Sequence, residues 1–522
     1  MRAVLIGDVG WEHQYHLGDE AMTEAAVAAL RARGVADITL IAGDPAVSSP
    51  FYGIPAIRRF GFHTPWSRAE HERTLQRVDE ALAHGEPFDD RSRAIFDAVR
   101  DSDAVVIAGG GNLNSRHVHH LFERLALVRV ARHFGKTVLV SSQTVGPDLD
   151  DVDEPLVSEI LVAATMVGAR EQATYELLRR LAADPERIRL TTDDAILLRP
   201  DADDRAFADD LLTDVSERYV VGSFTMHPGT SLVPTAEYHR VVGASLRSLS
   251  QQLDADIVLV PHVSSLHADV RQADELAHDA IAAAADSDRV RVLPMMTARR
   301  AIAVMNGATL AISERYHPIV FAPATRTPVI SLVTSRYSSI RMGGVLESYG
   351  LGAYAIPTEC WSEGVVGAAA AELTRPEVAA HLQRVDEIRS REQNAWWDAL
   401  IAAIGSGRPQ PAETPLPIAP PLQAPWHDTV RAVRRVTDAV DGLQRQNGTL
   451  TARVDRAIRD ADRAIGALQE RNAELAGEAR AARKREAATR AQLERLRKRR
   501  AVRLSDAVAR TRRRLSALFR RA

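Results

Sequence analysis

The chain has 522 residues, of which 45% are hydrophobic and 5% aromatic, and its formal net charge is −3. At about 150 residues per domain, this length predicts more than one domain, and the hydrophobic content is ordinary for a protein that buries cores. The single cysteine, Cys360, excludes an intramolecular disulfide and any zinc or iron–sulfur site built from several cysteines.

The N-terminus enters a short apolar run that ends at Asp8. This run is too short for the core of a signal peptide, and no apolar stretch of the chain reaches the ~20 residues of a membrane-spanning helix. We therefore expect a cytoplasmic protein.

The first 200 residues alternate short apolar runs with amphipathic segments. The runs predict strands at 3–7, 38–42, 104–108 and 137–140, and the amphipathic segments predict helices over 19–33 and 119–133. Short β-branched runs between helix-length segments are typical of a parallel α/β sheet.

A polar, Asp-rich stretch at 199–216 suggests a boundary, after which the alternation restarts. Strands are predicted at 219–224, 256–261, 290–293, 310–313 and 328–333, and helices over 235–253, 267–285 and 298–305. Two such units in succession predict an α/β protein of two Rossmann-like lobes, 1–200 and 201–404, with a cleft between them.

The last quarter of the chain has a different pattern. Residues 405–425 are rich in proline, which disfavours helix and predicts a semi-rigid linker. Over 426–494, apolar residues recur at alternating spacings of three and four, with Asn447 at an a-type position of the heptad. This pattern predicts a coiled coil, and a buried Asn favours a parallel homodimer. The alternative is a lone solvated helix.

The C-terminal segment 495–522 is strongly basic. It carries twelve Lys or Arg and one Asp, a net charge of +11, so the rest of the chain carries −14 within the total of −3. Leucine and valine lie among the arginines, as in a helix at an anionic membrane surface. Such a tail could bind an anionic membrane surface, nucleic acid or a polyanionic glycan, and the alternative is the solvated end of a coil.

Three glycine-rich or polar segments follow predicted strands of the first lobe. The segment 16–21 contains a glycine and predicts the start of a helix at Asp19, whose N-terminus would favour a bound anion. A tight turn between a strand and a helix, without any ligand, explains the same residues equally well. Gly109–Asn114 and 141–147, which contains Gln143, lie at carboxyl ends of strands, where α/β folds place ligands.

Three segments present cations. Arg170 follows a strand and could bind phosphate or carboxylate, or pair with Glu171 or Asp193. Arg315 and His317 are two residues apart at a strand end, and in extended backbone they would point the same way. A guanidinium there can bind an anion while the imidazole handles a proton. Arg341 follows a later strand and loop.

A group of histidines, His117, His119 and His120, lies near Glu123 in the predicted helix 119–133. Two ligands at a spacing of four can bind zinc, but no catalytic zinc signature accompanies them. We expect a cleft-lining or solvated helix face and no metal.

Taken together, these segments resemble the polysaccharide pyruvyl transferase family. The resemblance covers about residues 1–360 and rests on an ordered set of motifs: HLGDEA (16–21), GGGNLN (109–114), QTVGP (143–147), VGAREQAT (167–174), DDA (193–195), RYH (315–317) and YSSIR (337–341). Three positions depart from the family pattern, with His16 in place of Asn, Asn114 in place of Asp and Thr174 in place of Ser.

The resemblance implies a fold like that of two-lobed GT-B glycosyltransferases. It implies transfer of pyruvate from phosphoenolpyruvate, as a ketal, to a sugar of a cell-surface glycan or its lipid-linked precursor, without a metal or further cofactor. His317 is the predicted acid, and Arg315 the catalytic cation beside it. The predicted substrate-binding residues are Arg170, Arg341, Asp19, Gly109, Gly110, Gly111, Asn112, Asn114 and Gln143. The alternatives are a nucleotide-sugar glycosyltransferase of similar fold and a non-catalytic glycan-binding scaffold. Because acceptors of the family are often lipid-linked sugars, the resemblance also favours the inner face of the cell membrane, ahead of nucleic acid or a glycan, as the surface that the basic tail 495–522 binds.

Overall fold

The structure is a computed structural model that describes all residues except 12–13, 64–65, 226–233, 268 and 519–522, and no side chain is described at 452, 456, 459, 460 and 514–518. The chain divides into two compact units, Met1–Gly442 and Leu443–Ala522. The first unit contains both α/β lobes and the beginning of the C-terminal helix.

The first lobe is built on a parallel sheet in the order β4-β3-β1-β5-β7-β8-β9, with the short β6 paired to β7. Its elements are β1 (Arg2–Ile6), β2 (Tyr15–His16), α1 (Leu17–Ala32), β3 (Asp37–Ala42), α2 (Pro45–Tyr52), β4 (Ala56–Arg58), α3 (Arg68–His84), α4 (Asp90–Asp101), β5 (Ala104–Ile107), β6 (Gly110–Leu113), α5 (Val118–His133), β7 (Thr137–Val145), α6 (Glu154–Ala163), β8 (Met166–Ala169), α7 (Gln172–Leu181) and β9 (Ile188–Leu190).

The second lobe has a parallel sheet in the order β13-β11-β10-β14-β15-β16. Its elements are α8 (Ala202–Leu211), β10 (Tyr219–Ser223), α9 (Thr235–Leu253), β11 (Asp256–Leu259), β12 (Val263–Ser264), α10 (Asp274–Ala285), β13 (Val290–Val292), α11 (Ala298–Met305), β14 (Leu310–Ser313), α12 (Tyr316–Ala324), β15 (Val329–Val333), α13 (Arg336–Ser348), β16 (Ala355–Pro357) and α14 (Glu363–Leu373).

The central strands are apolar throughout because helices cover both faces of each sheet. In β5 all four residues are buried, and in β14 the same holds. Parallel sheets covered on both faces require such continuous apolar runs. The short runs in the sequence therefore become the cores of the two lobes.

Two elements link the lobes. The short strands β2 and β12 form an antiparallel pair in which Tyr15 lies opposite Ser264. The long helix α15 (Pro376–Ser406) begins on the core of the second lobe and ends on that of the first, where Trp396 and Trp397 are buried. Trp397 Nε1 donates a hydrogen bond to Asp194 at 2.8 Å. The lobes are thus joined by a strand pair and by the return of the chain along α15.

Helix α16 (Pro425–Leu518) occupies the rest of the described chain, so the predicted C-terminal helical extension is present. Its first turns pack on the second lobe, where Val430 is 3% exposed. In the second unit its apolar side chains are exposed, among them Leu450 and Leu468. Pairing with another helix stays a prediction, and residues 519–522 of the predicted tail lie outside the described residues. None of the helices within the described ranges has an apolar stretch long enough to span a bilayer.

Two sequence-based boundaries were wrong. The helix predicted over 267–285 begins only at Asp274, because Ala273 has a φ of 47°. The strand predicted at 137–140 continues to Val145, so the polar segment with Gln143 is part of β7 and not a loop. This extension pairs with β6, which is formed by the glycine-rich segment itself.

Candidate functional site

A cavity of about 660 Å³ opens between the lobes at the carboxyl ends of their strands. Both lobes contribute polar and charged side chains to its wall. The first lobe supplies Asp8, Trp11, Gln14, His16, Gly18, Asp19, Gly111, Asn112, Arg116, His117, His119 and His120, and the second lobe supplies Thr225, His262, Val263, Glu314, Arg315, Tyr316, His317, Thr334, Ser335, Tyr337, Ser338, Arg341 and Met342.

His317 lies in the first turn of α12 and is 8% exposed. Its ring rests against Gly18 of α1, so closely that a Cβ on Gly18 would lie 1.7 Å from His317 Nδ1. Its Nε2 has no hydrogen-bond partner among the described residues. Burial, aided by the charge on Arg170, holds the pKa of His317 well below its usual range. The imidazole is therefore neutral near pH 7 and has one nitrogen available to a ligand.

Arg315 is the N-cap residue of α12, and its guanidinium forms a two-point ion pair with Asp274. The Nε–Oδ2 distance is 2.9 Å, and Asp274 is fully buried. Arg315 has the extended backbone that we expected, but His317 does not, because it lies in the first turn of α12. Arg315 is thus a fixed cation in the cavity wall, held from behind by a carboxylate.

Guanidinium groups and tyrosine rings alternate along one side of the cavity. The Cζ atoms of Arg170 and Arg341 lie 4.3 and 4.4 Å from the ring centroid of Tyr316. Arg341 and Arg116 lie 4.8 and 4.9 Å from the ring centroid of Tyr337. Cation–π contacts of this length orient the guanidinium groups. The stack brings cations of both lobes together at the cavity.

Arg170 is the innermost member of this stack and is 3% exposed. Its Nη1 donates to Asp193 at 2.6 Å, and its Nε donates to Thr144 at 2.7 Å and to Glu171 at 3.1 Å. Both ion pairs considered from the sequence are therefore formed. Its Nη2 has no hydrogen-bond partner in the described ranges and approaches Gly111 in the cavity wall, where a Cβ would lie 3.4 Å away.

The glycine-rich segment gives the cavity a flat wall next to the cations. A Cβ on Gly111 would lie 3.3 Å from the Tyr337 hydroxyl and 3.5 Å from Arg341 Cζ. A Cβ on Gly109 would lie 2.9 Å from Asp194 Oδ2. Side chains here would crowd the stack, so glycine keeps the backbone close to the cations. Gly110 lies in the same short strand, β6.

Six of the eleven predicted site residues line the cavity, and the other five, Arg170, Gly109, Gly110, Asn114 and Gln143, are buried in the first lobe behind its wall. Asp19, Gly111, Asn112, Arg315, His317 and Arg341 line the cavity. Asn114 is fully buried, donates to Gly111 O at 2.6 Å and accepts from His117 N at 2.9 Å. Gln143 is 2% exposed and donates to Ala108 O. Both amides satisfy backbone groups of the loops that shape the wall.

The histidines at the start of α5 line the first-lobe side of the cavity, above a buried ionic network. Asp8 contacts His120 Nε2 at 3.1 Å and Arg59 Nη1 at 2.9 Å. Burial raises the pKa of Asp8, but His120 and Arg59 outweigh it and hold it well below its usual range. Arg59 also contacts Glu123 at 3.3 Å. The network fixes the helix that presents the histidines.

No group of three or more His, Cys, Asp or Glu side chains within the described part of the chain is arranged to hold a metal ion. His119 is next to His120, with ring centroids 3.9 Å apart, and burial lowers its pKa to about 3. The cluster is therefore a set of closely packed rings in the cavity wall.

The sequence did not single out two titratable residues of the second-lobe wall. His262 follows β11, and burial lowers its pKa to about 4. Glu314 accepts a hydrogen bond from Thr334 at 3.2 Å and one from Tyr238, and burial raises its pKa to about 7. Glu314 directly precedes the RYH motif (315–317), and this position could have drawn attention to it. His262 belongs to no motif and could not have been found in this way.

Comparison with known families agrees with this geometry. A sequence model described as polysaccharide pyruvyl transferase matches residues 16–336, more than half of the chain. The chain belongs to the polysaccharide pyruvyl transferase family. The suspected membership is thereby confirmed, and this family is a family of transferases. Comparison with curated protein sequences gives no match.

Solved structures resemble this pyruvyl transferase family member in fold. A Listeria monocytogenes protein named as a UDP-N-acetylglucosamine 2-epimerase aligns with a TM-score of 0.52 at 13% identity, over 78% of this chain and 96% of its own. The S. aureus protein MnaA, in a structure with UDP, aligns with a TM-score of 0.51 at 10% identity, over 80% and 100%. These likenesses confirm the predicted two-lobed, GT-B-like α/β fold.

Proposed function

We propose that this protein transfers pyruvate from phosphoenolpyruvate to a sugar of a cell-surface glycan or its lipid-linked precursor, forming a ketal. The observation that carries the proposal is the neutral imidazole of His317, in the same cavity as Arg315, Arg341 and Arg116. Within the described part of the chain its Nε2 has no hydrogen-bond partner. Phosphoenolpyruvate carries a phosphate and a carboxylate, and guanidinium groups bind both in bidentate fashion.

The reaction requires a proton donor at the methylene carbon of phosphoenolpyruvate. Protonation there leaves an oxocarbenium-like centre at C2, and a sugar hydroxyl adds to it with loss of its proton. Phosphate then leaves from C2, and a second hydroxyl adds and loses its proton. One of the two hydroxyl protons replaces the proton consumed at the methylene carbon, and the other is accounted for by the released phosphate.

His317 is the proposed acid, and the donor itself would bring it into its acidic form. In the ligand-free protein burial keeps the imidazole neutral. A bound anion stabilises the charged form of a nearby base, so phosphoenolpyruvate would raise the pKa of His317 and promote proton uptake. Asp19, which already opposes the lowering of this pKa, supports the same change.

The guanidinium groups would stabilise the charge of the leaving phosphate and of the carboxylate. Arg315 is fixed by Asp274, and Arg341 by two tyrosine rings, so neither has to reorganise during the reaction. Arg170, behind Gly111, adds positive charge to the same wall.

Incubation of the full-length protein with phosphoenolpyruvate and candidate sugar acceptors, while phosphate release is followed, tests the proposal. We expect His317→Ala to lower kcat by about 10²- to 10⁴-fold, the usual contribution of a general acid. The matched control is His84→Ala, since His84 lies at the exposed end of α3. Undiminished turnover by His317→Ala would eliminate the acid assignment. Turnover of a UDP-sugar without phosphoenolpyruvate would replace the proposed donor.

Two partner proposals concern α16. The exposure of Val436, Leu443 and Leu450 at heptad spacing supports a parallel homodimer formed through this helix. The charge of the 495–522 segment supports binding to an anionic membrane surface. Light scattering of the full-length protein tests the first proposal, because a monomer at micromolar concentration would contradict it.

A further inference from the structure

Helix α13 has one side on the cavity and another on the C-terminal helix. Tyr337 and Arg341, one turn apart, line the cavity. Arg336, Ser339 and Gly343, at spacings of three and four, lie against α16. Residues at such spacings share one side of a helix. The first turns of α16 therefore lie directly behind the helix that carries two members of the guanidinium–tyrosine stack.

Two carboxylates of α16 bind the N-terminal turn of α13. Asp441 Oδ2 accepts a hydrogen bond from the backbone N–H of Arg336 at 2.8 Å. Asp438 Oδ2 accepts one from the Ser339 hydroxyl at 2.7 Å. Backbone N–H groups in the first turn of a helix have no partner within the helix, and negative charge there is favourable. Helix α16 thus provides hydrogen-bond acceptors for two groups at the N-terminal end of α13.

A third contact fixes the distance between the two helices. Arg434 Nη1 donates to Gly352 O at 3.0 Å, and its Nη2 forms an ion pair with Glu347 in the last turn of α13. A Cβ on Gly343 would lie 3.0 Å from Arg434 Nη1, so glycine permits this close approach. The extension therefore holds α13 near both of its ends.

The beginning of α16 is itself anchored on the second lobe. Trp426 Nε1 donates to Glu372 at 2.8 Å, and His427 Nε2 lies 2.8 Å from the other oxygen of the same carboxylate. Both rings contact Tyr354. Because the start of α16 is fixed in this way, the roughly four turns that follow, as far as Asp441, can hold α13 in place.

We propose that residues 425–442 are a positioning element of the site, in which Asp438 and Asp441 set the place of α13 and thereby of Arg341 and Tyr337. This inference rests on the proposed function, in which Arg341 binds phosphoenolpyruvate. A cation–π contact requires the guanidinium within about 6 Å of the ring centroid. Release of the first turn of α13 would move Tyr337 and loosen both of its contacts, with Arg341 and with Arg116.

Kinetics of full-length variants test the positioning role. We expect Asp438→Ala and Asp441→Ala each to raise the KM for phosphoenolpyruvate about three- to tenfold, as for loss of one hydrogen bond, with a smaller change in kcat. Asp441→Asn should keep a KM close to that of the wild type, because its amide oxygen still accepts from Arg336 N–H. Adding Ser339→Ala to Asp438→Ala should have little further effect. The matched control is Asp428→Ala, whose side chain is 84% exposed and pairs with Arg431 on the same helix.

Hydrogen exchange of the α13 amides gives a readout that does not depend on the donor. We expect faster exchange over 336–348 in both alanine variants and no change in Asp428→Ala. Unchanged exchange together with unchanged KM would overturn the proposal. Faster exchange with unchanged KM would refute the effect on the site, because α16 would then stabilise α13 without influencing donor binding. If the wild type consumes no phosphoenolpyruvate, the proposed function fails, while unchanged exchange would still refute positioning of α13. Ser339→Ala alone replaces any variant that does not fold.

Discussion

Replacement of Gly18 by alanine tests whether catalysis depends on the position of the His317 ring. A Cβ at residue 18 would lie 1.7 Å from Nδ1 and 2.1 Å from Cε1 of His317, whereas ordinary contact begins at 3.4 Å. The ring must therefore retreat by about 1.7 Å, the difference between 3.4 and 1.7 Å. Because Gly18 lies within α1, the backbone itself accepts alanine.

Overpacking of this kind costs about 1–3 kcal/mol of the free energy of unfolding. A displacement of about 1 Å in a positioned group lowers the rate by about 10²-fold, so we expect at least that loss in kcat/KM for phosphoenolpyruvate. The rate of phosphate release gives kcat/KM, and urea denaturation gives the free energy of unfolding.

The matched control for this variant is Gly364→Ala in α14, where a Cβ would meet no atom within 4 Å. It should leave kcat/KM unchanged and stabilise the protein by about 0.5–1 kcal/mol, since alanine is the better helix former. If Gly18→Ala kept kcat/KM within about twofold of the wild type, the reasoning about the ring of His317 would be refuted.

Three further perturbations have defined outcomes. Burial raises the pKa of Asp194 to about 6, so ionisation of this carboxyl destabilises the fold as the pH rises from about 4 to about 6. Relative to Asp194→Asn, the wild type should therefore lose ~3 kcal/mol of its free energy of unfolding between pH 4 and pH 7, as measured by urea denaturation. A difference between the two proteins that does not change with pH would contradict this. Arg59→Met removes one of two basic partners from each of the buried carboxylates Asp8 and Glu123, which keep His120 and Arg124 respectively. It should cost about 1–3 kcal/mol in the same assay, and an unchanged stability would argue against the buried pairing. Reversal to glutamate of the four basic residues 497–500 should lower partitioning onto phosphatidylserine vesicles by at least about 10³-fold, and unchanged sedimentation with the vesicles would count against the membrane proposal.

Much of the architecture could be predicted because its signals are local. The runs that form β5 and β14 are short, apolar and followed by helices, and their predicted ranges agree with the structure to within one residue. The glycine-rich segment was predicted to approach a ligand site, and Gly111 does line the cavity. Its conformation as a short strand was not predicted, because pairing with the extension of β7 depends on a distant segment.

The partners of polar side chains could not be predicted from the sequence. Arg315 pairs with Asp274, 41 residues away, and no local pattern joins the two. Asn114 and Gln143 were predicted to contact substrate, yet their amides bind backbone groups of nearby loops. A polar residue after a strand can satisfy a ligand or a buried backbone group equally well, and only the fold decides between them.

The contacts between α13 and the C-terminal helix α16 could not be predicted from local sequence patterns either. Asp438 and Ser339 are 99 residues apart, and the proline-rich stretch between the lobes and α16 suggested a spacer. That stretch instead packs on the second lobe: Leu416 O accepts from Arg389 Nη2 at 2.7 Å, and a Cβ on Gly350 would lie 2.7 Å from Ala419 O. Proline content fixes the stiffness of a segment but not the surface on which it lies.

The two chain crossings between the lobes restrict how the cleft can open. The chain passes to the second lobe between β9 and α8 and returns along α15, whose Val385 packs in the second lobe and Trp397 in the first. On the cavity side the β2–β12 pair is a further link between the lobes, in which His16 of the first lobe lies opposite Val263 of the second. A hinge motion about α15 would keep both chain crossings intact, but it would have to separate this strand pair before the cavity could widen. Such a hinge widens the outer rim of the cavity most and leaves its innermost wall, where Gly111 adjoins Arg170, nearly unchanged.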